Sequence, residues 1–438
     1  MAALAAIVGL GGVARASAFD VEGFGPTGIA EVNARAARTD DGTATFYNPG
    51  GLALGRGYRV DVAPQLGLSA LSAQGKTLAL DSPFGVVVAF DATIPLEGAL
   101  KDRIRFGYGG YFLPTAALRL ITRAGDTPFF PYYDNRTQRL VALPALAVRI
   151  LDNLGVGVGL NVLAGVSGPA DVRPGASGAP ESRIDEEATT VLAVNTGVRF
   201  DPVPPVHLAF VYRQRFAVRS LVDTTAEIGG VPLRAQFDVR QALYDPDTFV
   251  LGSSFDVGRA SFELDASYAI WSGYDGPYVR VEAELPGVAI SSKLPDDLFR
   301  DVVSVRGAGT YRIGIGERSD VVLRLGAGLE PSILTSAQQG RTNLVDGDKV
   351  LIGAGATLTL GRAAGSPSAI RFGLGASSQI VGGYEQAKIA CRAQPCPIST
   401  VVGPDGNDPG AGIQNRGYPK LTGSGSFWSA SLGVGVDL

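Results

Sequence analysis

The feature that most constrains this chain is a period-two alternation in which charged residues recur between large apolar ones. In the segment 260–271 the apolar positions are Phe262, Leu264, Tyr268 and Ile270, and the positions between them include Ser261, Glu263, Asp265 and Ser267. Side chains of a β-strand point alternately to its two faces. Carboxylates at this spacing are costly inside a dry core. A strand with lipid on one face and a polar lumen on the other accommodates both sets.

The same alternation recurs elsewhere. In the segment 321–330 one face carries Leu323, Leu325 and Leu329, and the other carries Arg324, Gly326, Gly328 and Glu330. In the segment 206–218 the predicted outer face carries Val206, Leu208, Phe210, Tyr212, Phe216 and Val218, and the inner face carries His207, Ala209, Val211, Arg213, Arg215 and Ala217. These patterns predict strands that place arginines in a lumen.

Fourteen strand candidates can be placed along the chain, centred near residues 64, 88, 108, 144, 160, 194, 211, 250, 265, 306, 325, 355, 374 and 432. Short connections alternate with long ones, the long ones at 114–135, 167–186, 219–245, 272–300, 331–348 and 382–425. An even strand number with short turns at one end and long loops at the other is typical of bacterial outer-membrane barrels. The 59 glycines among 438 residues argue against a helical protein. We predict an all-β, 14-stranded antiparallel transmembrane β-barrel.

Two features of the sequence indicate an exported protein. Residues 1–14 are apolar, Arg15 follows, and Ala16-Ser17-Ala18 resembles a cleavage site, so we predict a signal peptide at 1–18 with cleavage near Phe19. Cys391 and Cys396 lie in a polar stretch, where a local disulfide is expected in an oxidising compartment. A net charge of −4 gives no basic surface for nucleic acid. With one His and two Cys, we expect no metal and no cofactor.

Residues 19–56 precede the first strand, show no alternation and are long enough to plug the lumen. Their stretch Asp40-Asp41-Gly42-Thr43-Ala44-Thr45-Phe46-Tyr47-Asn48-Pro49-Gly50-Gly51-Leu52 resembles the N-terminal plug, or hatch, of the FadL/TodX family. The segments 264–274 and 301–312 also resemble strands of that family, in the same order. One departure is Gly50, where the family pattern has Ala. The resemblance divides the chain into a signal peptide (1–18), a hatch (19–56) and a barrel (57–438).

The resemblance implies a passive transporter in the bacterial outer membrane. Its substrates would be hydrophobic small molecules, with long-chain fatty acids first and aromatic or other neutral hydrocarbons as the alternative. They would pass through a lumen pocket, move past the hatch and exit sideways into the bilayer. The implied surroundings are outer-membrane lipid and lipopolysaccharide, and the implied state is a monomer. A general porin is a less favoured alternative, and no enzyme activity is expected.

Three groups of residues are candidate sites. The hatch motif, which could be a hinge or a simple turn, comprises Phe46, Tyr47, Asn48, Pro49 and Gly50. The lumen arginines, which could bind a carboxylate or pair with Glu263, Asp265 and the acids of the hatch, are Arg213, Arg215, Arg306 and Arg324. The outer loop, which could expose its rings as a capture surface or pack them on the barrel rim, contains Phe129, Phe130, Tyr132 and Tyr133.

Overall fold

The structure is a computed structural model. It describes residues 18–438 apart from 79–82, 114–127, 135–139, 168–169, 175–179, 185–186, 229–230, 277–278, 286–287, 292–296, 317–318, 337, 339–342, 362–367 and 388–419. Within 163–191, 218–243 and 279–291, only the backbone of the described residues is discussed. Residues 1–17 of the predicted signal peptide and both cysteines of the predicted disulfide lie outside the described residues.

The described chain begins with short helices and continues as strands. The helices are α1 (Ala18–Glu22), α2 (Gly25–Ala30), α3 (Ala44–Tyr47) and α4 (Pro49–Leu52), with short 3₁₀ turns at Gly98–Leu100 and Trp271–Gly273. The strands are β1 (Arg59–Ala73), β2 (Lys76–Thr77), β3 (Phe84–Thr93), β4 (Ile104–Phe112), β5 (Val141–Leu151), β6 (Leu154–Ser167), β7 (Ala170–Pro174), β8 (Pro180–Ile184), β9 (Glu187–Val203), β10 (Val206–Arg213), β11 (Phe216–Ile228), β12 (Val231–Asp245), β13 (Asp247–Val257), β14 (Ala260–Ile270), β15 (Val279–Leu285), β16 (Val288–Ser291), β17 (Val302–Gly314), β18 (Asp320–Glu330), β19 (Lys349–Leu360), β20 (Ala369–Ala387) and β21 (Lys420–Asp437). Within the described residues, no helix is long and apolar enough to cross a membrane.

Fourteen of the described strands close into one antiparallel barrel. Their order is β1-β21-β20-β19-β18-β17-β14-β13-β10-β9-β6-β5-β4-β3, and β3 pairs back onto β1. Each of the fourteen predicted strand centres falls inside one of these strands, so the predicted fold is confirmed. Closure leaves no unpaired edge, which is the condition for a sheet to survive in lipid.

The two faces of the wall have opposite chemistry, as the alternation predicts. On β14, Phe262 and Leu264 are 56% and 54% exposed on the outer face, whereas Glu263 and Asp265 are each 4% exposed on the lumen side. Leu325 on β18 is likewise 67% exposed. An apolar belt of this kind, repeated on neighbouring strands, is unfavourable in water and matches the hydrocarbon core of a bilayer.

Three of the predicted long connections contain strands rather than loops. The insertions between β6 and β9, β10 and β13, and β14 and β17 form a six-stranded sheet in the order β16-β15-β12-β11-β7-β8. This sheet also corrects the prediction that Phe216 faces outward. Because β10 ends at Arg213 and β11 starts a new sheet, Phe216 leaves the alternation and is completely buried.

The segment 19–56 lies inside the barrel. Its α2 contacts β18, β19, β20, β21 and β1, and α4 contacts β4, β5, β6 and β9. These strands lie around the barrel wall, so only a segment within the lumen can reach all of them. Glycines of the wall make room for it, because a Cβ on Gly353 or Gly326 would lie 2.6 Å from the backbone of Ala30 or Glu31.

Candidate functional site in the plugged lumen

Asn48 is the centre of the hatch motif. It is fully buried and extended between α3 and α4, where its side chain caps α4 by accepting a hydrogen bond from the Gly50 amide at 3.0 Å. Its amide nitrogen donates to the carbonyls of Ala36 at 2.8 Å and of Val198 on β9 at 3.1 Å. Pro49 follows at the first helical position, which its fixed φ suits. Asn48 thus joins three parts: the hatch turn (residues 33–38), α4 and the barrel wall.

Gly50 lies against the wall more closely than a larger residue would allow. A Cβ at this position would lie 2.6 Å from the carbonyl oxygen of Gly197 and 2.9 Å from that of Gly155. Both of these wall positions are themselves glycines. This close approach of two backbones gives a physical reason for Gly50 where the family pattern has Ala. The hatch motif is a packed interlock at this point, with the turn chemistry of Asn-Pro-Gly-Gly used to build α4.

Aromatic rings fill the lumen around the hatch in two groups. The hatch aromatic cluster comprises Phe19, Phe24, Phe46, Tyr47 and Tyr111, all at most 3% exposed. Phe19 and Phe24 stack with ring centroids 4.1 Å apart, and Phe46 meets Phe19 edge-on at 5.4 Å. Tyr47 donates a hydrogen bond to Asn33 at 2.6 Å. The hatch therefore brings a continuous apolar surface into the middle of the barrel.

The second group, the outer aromatic cluster, lies at the end of the barrel that carries the long connections. Its members are Phe129, Phe130, Tyr132, Tyr133, Tyr244, Trp271, Tyr274, Phe299 and Phe427. The rings of Tyr133 and Phe427 of β21 stack with centroids 5.4 Å apart, and the ring centroids of Tyr132 and Trp271 lie 6.2 Å apart. Of the two alternatives for Phe129, Phe130, Tyr132 and Tyr133, burial favours packing on the barrel rim over an exposed capture surface, because all four are 7% exposed or less. They pack over the barrel rim, since the backbone of Phe129 pairs with that of Leu344.

Three of the four candidate lumen arginines are paired with acids. Arg324 contacts Glu31 of the hatch at 3.0 Å, Arg306 contacts Glu330 at 2.8 Å, and Arg213 contacts Asp20 of α1 at 3.3 Å. The guanidinium of Arg213 also lies over the Phe46 ring, 4.5 Å from its centroid. These pairs neutralise the positive charge that a carboxylate ligand would otherwise meet.

Arg215 does not face the lumen as its place in the alternation predicts. It follows the end of β10, and its side chain is 49% exposed. Its guanidinium reaches Asp247 only at 4.0 Å, while its backbone amide donates to the same carboxylate at 2.9 Å. Arg215 therefore belongs to the junction between β10 and β11.

A cavity of about 370 Å³ lies between the hatch and the end of the barrel with the short turns. Its charged lining consists of Glu31, Arg35, Arg38, Asp40, Asp41, Arg59, Asp61, Arg312, Asp320, Arg324, Arg371 and Asp437. Six arginines and six acids balance in formal charge. An apolar molecule gains nothing by entering such a space. A second cavity of about 20 Å³, lined by Asp20, Asn33, Ala36, Phe46 and Arg213 among others, lies on the other side of the hatch.

Several residues of this site were missed by sequence reasoning. Glu263 and Asp265 were placed in the lumen but were expected to pair with arginines, whereas they bind backbone amides of hatch residues 35–37. Lys349 and Asp346 form a fully buried ion pair beneath Tyr132. The Asp346-Gly347-Asp348-Lys349 stretch reads as a polar loop, so no sequence signal marks this pair as buried.

Glu22 of the hatch is a buried acid that makes the free energy of unfolding depend on pH. Burial raises its pKa to about 8, against hydrogen bonds from Gln65 at 2.8 Å and Tyr111 at 3.5 Å that lower it. The folded state thus binds a proton that the unfolded state releases near pH 4.5. Stability should be full at low pH and fall by up to about 1.4 kcal/mol per pH unit as the pH rises towards 8.

Urea unfolding between pH 5 and 9 checks this expectation. Glu22→Gln keeps the shape and removes the ionisable group, so its unfolding free energy should lose this component of the pH dependence. An identical pH profile for the wild-type protein and the variant would show that Glu22 is ionised in the folded protein throughout this range.

Comparisons with known proteins agree with this architecture. No family model matches the chain, and no curated protein matches it in sequence. Among solved structures, a Pseudomonas aeruginosa FadL homologue matches with a TM-score of 0.55 and 12% identity, over 97% of this chain and 99% of the other. The P. putida toluene transporter TodX matches with a TM-score of 0.55 and 12% identity, over 95% of this chain and 99% of the other. The Ralstonia pickettii toluene transporter TbuX matches with a TM-score of 0.54 and 15% identity, over 96% of this chain and 100% of the other. This chain therefore has the fold of the FadL homologue and the toluene transporters.

Proposed function

We propose that this chain is a passive transporter of hydrophobic small molecules in the bacterial outer membrane, a member of the FadL/TodX family. The observation that carries the proposal is the pair of buried aromatic clusters, one against the hatch in the lumen and one at the barrel end with the long connections. A porin for hydrophilic solutes has no use for these buried rings. A signal peptide at residues 1–18, contact with lipid and lipopolysaccharide, and a monomeric state fit this proposal.

The direction of passage follows from the two kinds of lining. Buried aromatic clusters lie at the long-connection end and against the hatch, whereas the cavity beyond the hatch is lined by twelve charged residues among others. A hydrophobic molecule moving straight on would leave apolar contacts for a charged space, at about 0.8 kcal/mol for each CH₂ returned to water. Leaving sideways through the wall into the bilayer avoids that cost, and we propose this route.

For the substrate, the charges favour neutral hydrocarbons, including aromatic ones, over fatty acids. Arg213, Arg306 and Arg324 already contact Asp20, Glu330 and Glu31 respectively. A fatty-acid carboxylate would have to displace one of these acids. Fatty acids remain the second candidate, and Arg213 favours them most, because its 3.3 Å contact with Asp20 is the longest of the three ion pairs. The solved neighbours include both a FadL homologue and toluene transporters.

The two tryptophans allow a direct test. Trp271 is buried in the outer aromatic cluster, and Trp428 is 51% exposed on the barrel wall. In the purified Trp428→Phe protein, Trp271 is the sole tryptophan, and we expect toluene to change its emission saturably. Oleate should cause a weaker change or none. The matched control, Trp271→Phe, keeps only the wall tryptophan and should show no saturable response to either compound.

Other outcomes decide between the alternatives. Saturable binding of oleate alone, lost in Arg213→Gln, would favour a fatty-acid transporter. If neither compound binds and the protein conducts hydrophilic solutes, the porin alternative replaces the proposal.

A further inference from the structure

The hatch turn, residues 33–38, is held by two carboxylates of the barrel wall. Asp265 on β14 accepts hydrogen bonds from the backbone amides of Arg35 at 2.8 Å and Ala36 at 3.0 Å. Glu263 on the same strand accepts one from the amide of Ala37 at 2.7 Å. Three backbone amides of the hatch turn therefore depend on two buried carboxyl groups, and a buried amide left without its acceptor is costly.

The hatch turn is also bonded through its carbonyls, since Ala36 accepts a hydrogen bond from Asn48 and Arg38 accepts one from Arg199 of β9. Other parts of the hatch are held mainly by packing. Residues 26–31 and 48–50 are held by close backbone packing against wall glycines, such as Gly353 and Gly197. Gly252 of β13 leaves space for the hatch turn, since a Cβ there would lie 2.8 Å from that of Ala36. Polar bonds to two side chains can be broken without moving the wall, whereas interlocked backbones cannot part so easily.

The backbone at the start of the hatch turn is strained. Val32 and Asn33 have φ angles of 45° and 68°, in the left-handed region that side chains other than glycine rarely adopt. For a β-branched residue such as Val32 this conformation is a genuine outlier, and it persists only where surrounding contacts enforce it. Release of the hatch turn would allow this strain to relax.

The hatch turn also lies between the two cavities described above. Asn33 and Ala36 line the cavity of about 20 Å³, together with Asp265. Arg35 and Arg38 line the cavity of about 370 Å³ on the other side. A single segment of backbone therefore lies between these two cavities.

We propose that Glu263 and Asp265 act as a latch that keeps the hatch turn across the lumen, and that its release joins the two cavities into one water-filled path. Both are positioning residues, because they act through the hatch backbone. The latch rests on the proposed function only for its biological role, because the latch itself can be tested without a substrate.

The test compares Glu263→Gln, Asp265→Asn and their combination with the wild-type protein in detergent and in planar bilayers. Both substitutions keep the shape and remove the charge. We expect hydrogen exchange of the amides at 34–38 to become about tenfold faster or more, with exchange of the barrel strands unchanged. Ion conductance should rise together with that exchange. The single variants keep the test available if the combined variant does not fold.

Glu330→Gln is the matched control. Glu330 is an equally buried wall carboxylate, 5% exposed, but it pairs with Arg306 instead of the hatch backbone. Its substitution should leave exchange at 34–38 unchanged. Unchanged exchange in the latch variants would overturn the latch, and so would faster exchange spread over the whole barrel. Faster exchange at 34–38 with unchanged conductance would overturn the joined path. None of these outcomes depends on whether toluene or oleate binds.

Discussion

Replacing Lys349 with methionine should lower the free energy of unfolding by about 3–5 kcal/mol, because it leaves Asp346 as an uncompensated buried charge. Both side chains are completely buried, and the Lys349 ammonium lies 3.0 Å from each carboxylate oxygen of Asp346. The same ammonium is 4.1 Å from the centroid of the Tyr132 ring, and the Asp346 carboxylate accepts a hydrogen bond from the Ile333 amide. The pair therefore anchors the outer aromatic cluster to β19.

Urea unfolding in phospholipid vesicles, followed by the emission of Trp271 in the Trp428→Phe background, measures this effect. The control is the combination of Lys349→Met with Asp346→Asn, which removes both charges and should recover at least half of the lost stability. If the two substitutions are simply additive, the ion pair is not the source of the cost. A loss below about 1 kcal/mol for Lys349→Met would mean that water reaches this site and screens the charge.

Replacing Gly50 with alanine should destabilise the hatch by about 1–3 kcal/mol, the usual cost of forcing an extra methyl group into a packed site. The added Cβ would lie 2.6 Å from the Gly197 oxygen and 2.9 Å from the Gly155 oxygen, so backbone must move. The expected result is faster hydrogen exchange of the amides in 44–53, with a barrel that remains folded. This substitution introduces the residue that the FadL/TodX pattern has at this position.

Gly314→Ala is the control for this substitution, since a Cβ at Gly314 would have no neighbouring heavy atom within 4 Å. It should leave hatch exchange unaltered. If Gly50→Ala also leaves hatch exchange unaltered, the wall near Gly155 and Gly197 can move to accept the methyl group. The hatch motif would then be a movable hinge rather than an interlock.

These expectations assign different forces to different parts of the hatch. Close backbone packing holds residues 26–31 and 48–50, and between them the amides of residues 35–37 donate hydrogen bonds to Glu263 and Asp265. A substitution at Gly50 should therefore loosen the region around α4, whereas neutralising the latch should loosen residues 34–38. Exchange measured peptide by peptide separates the two effects.

The sequence by itself determined the barrel and the two faces of its strands. Period-two alternation follows from the covalent geometry of an extended chain, so Leu264 and Asp265 had to point to opposite sides wherever the strand was placed. The cost of burying charge then put Asp265 towards the lumen and Leu264 towards lipid. The even strand number and the alternation of short and long connections are also local properties of the chain. A separate segment ahead of the barrel is also visible in the sequence, because residues 19–56 precede the first strand and lack alternation.

Tertiary structure alone decided which groups meet. Asp265 bonds to the amide of Arg35 across 230 positions of sequence, and Arg324 meets Glu31 across 293. No local pattern encodes such a choice, because any lumen acid is a chemically suitable partner for any lumen arginine. The burial of Tyr132 and Tyr133 and the departure of Phe216 from its alternation have the same origin. In each case the side chain's environment is set by a distant segment that folds against it, a contact that strand periodicity does not specify.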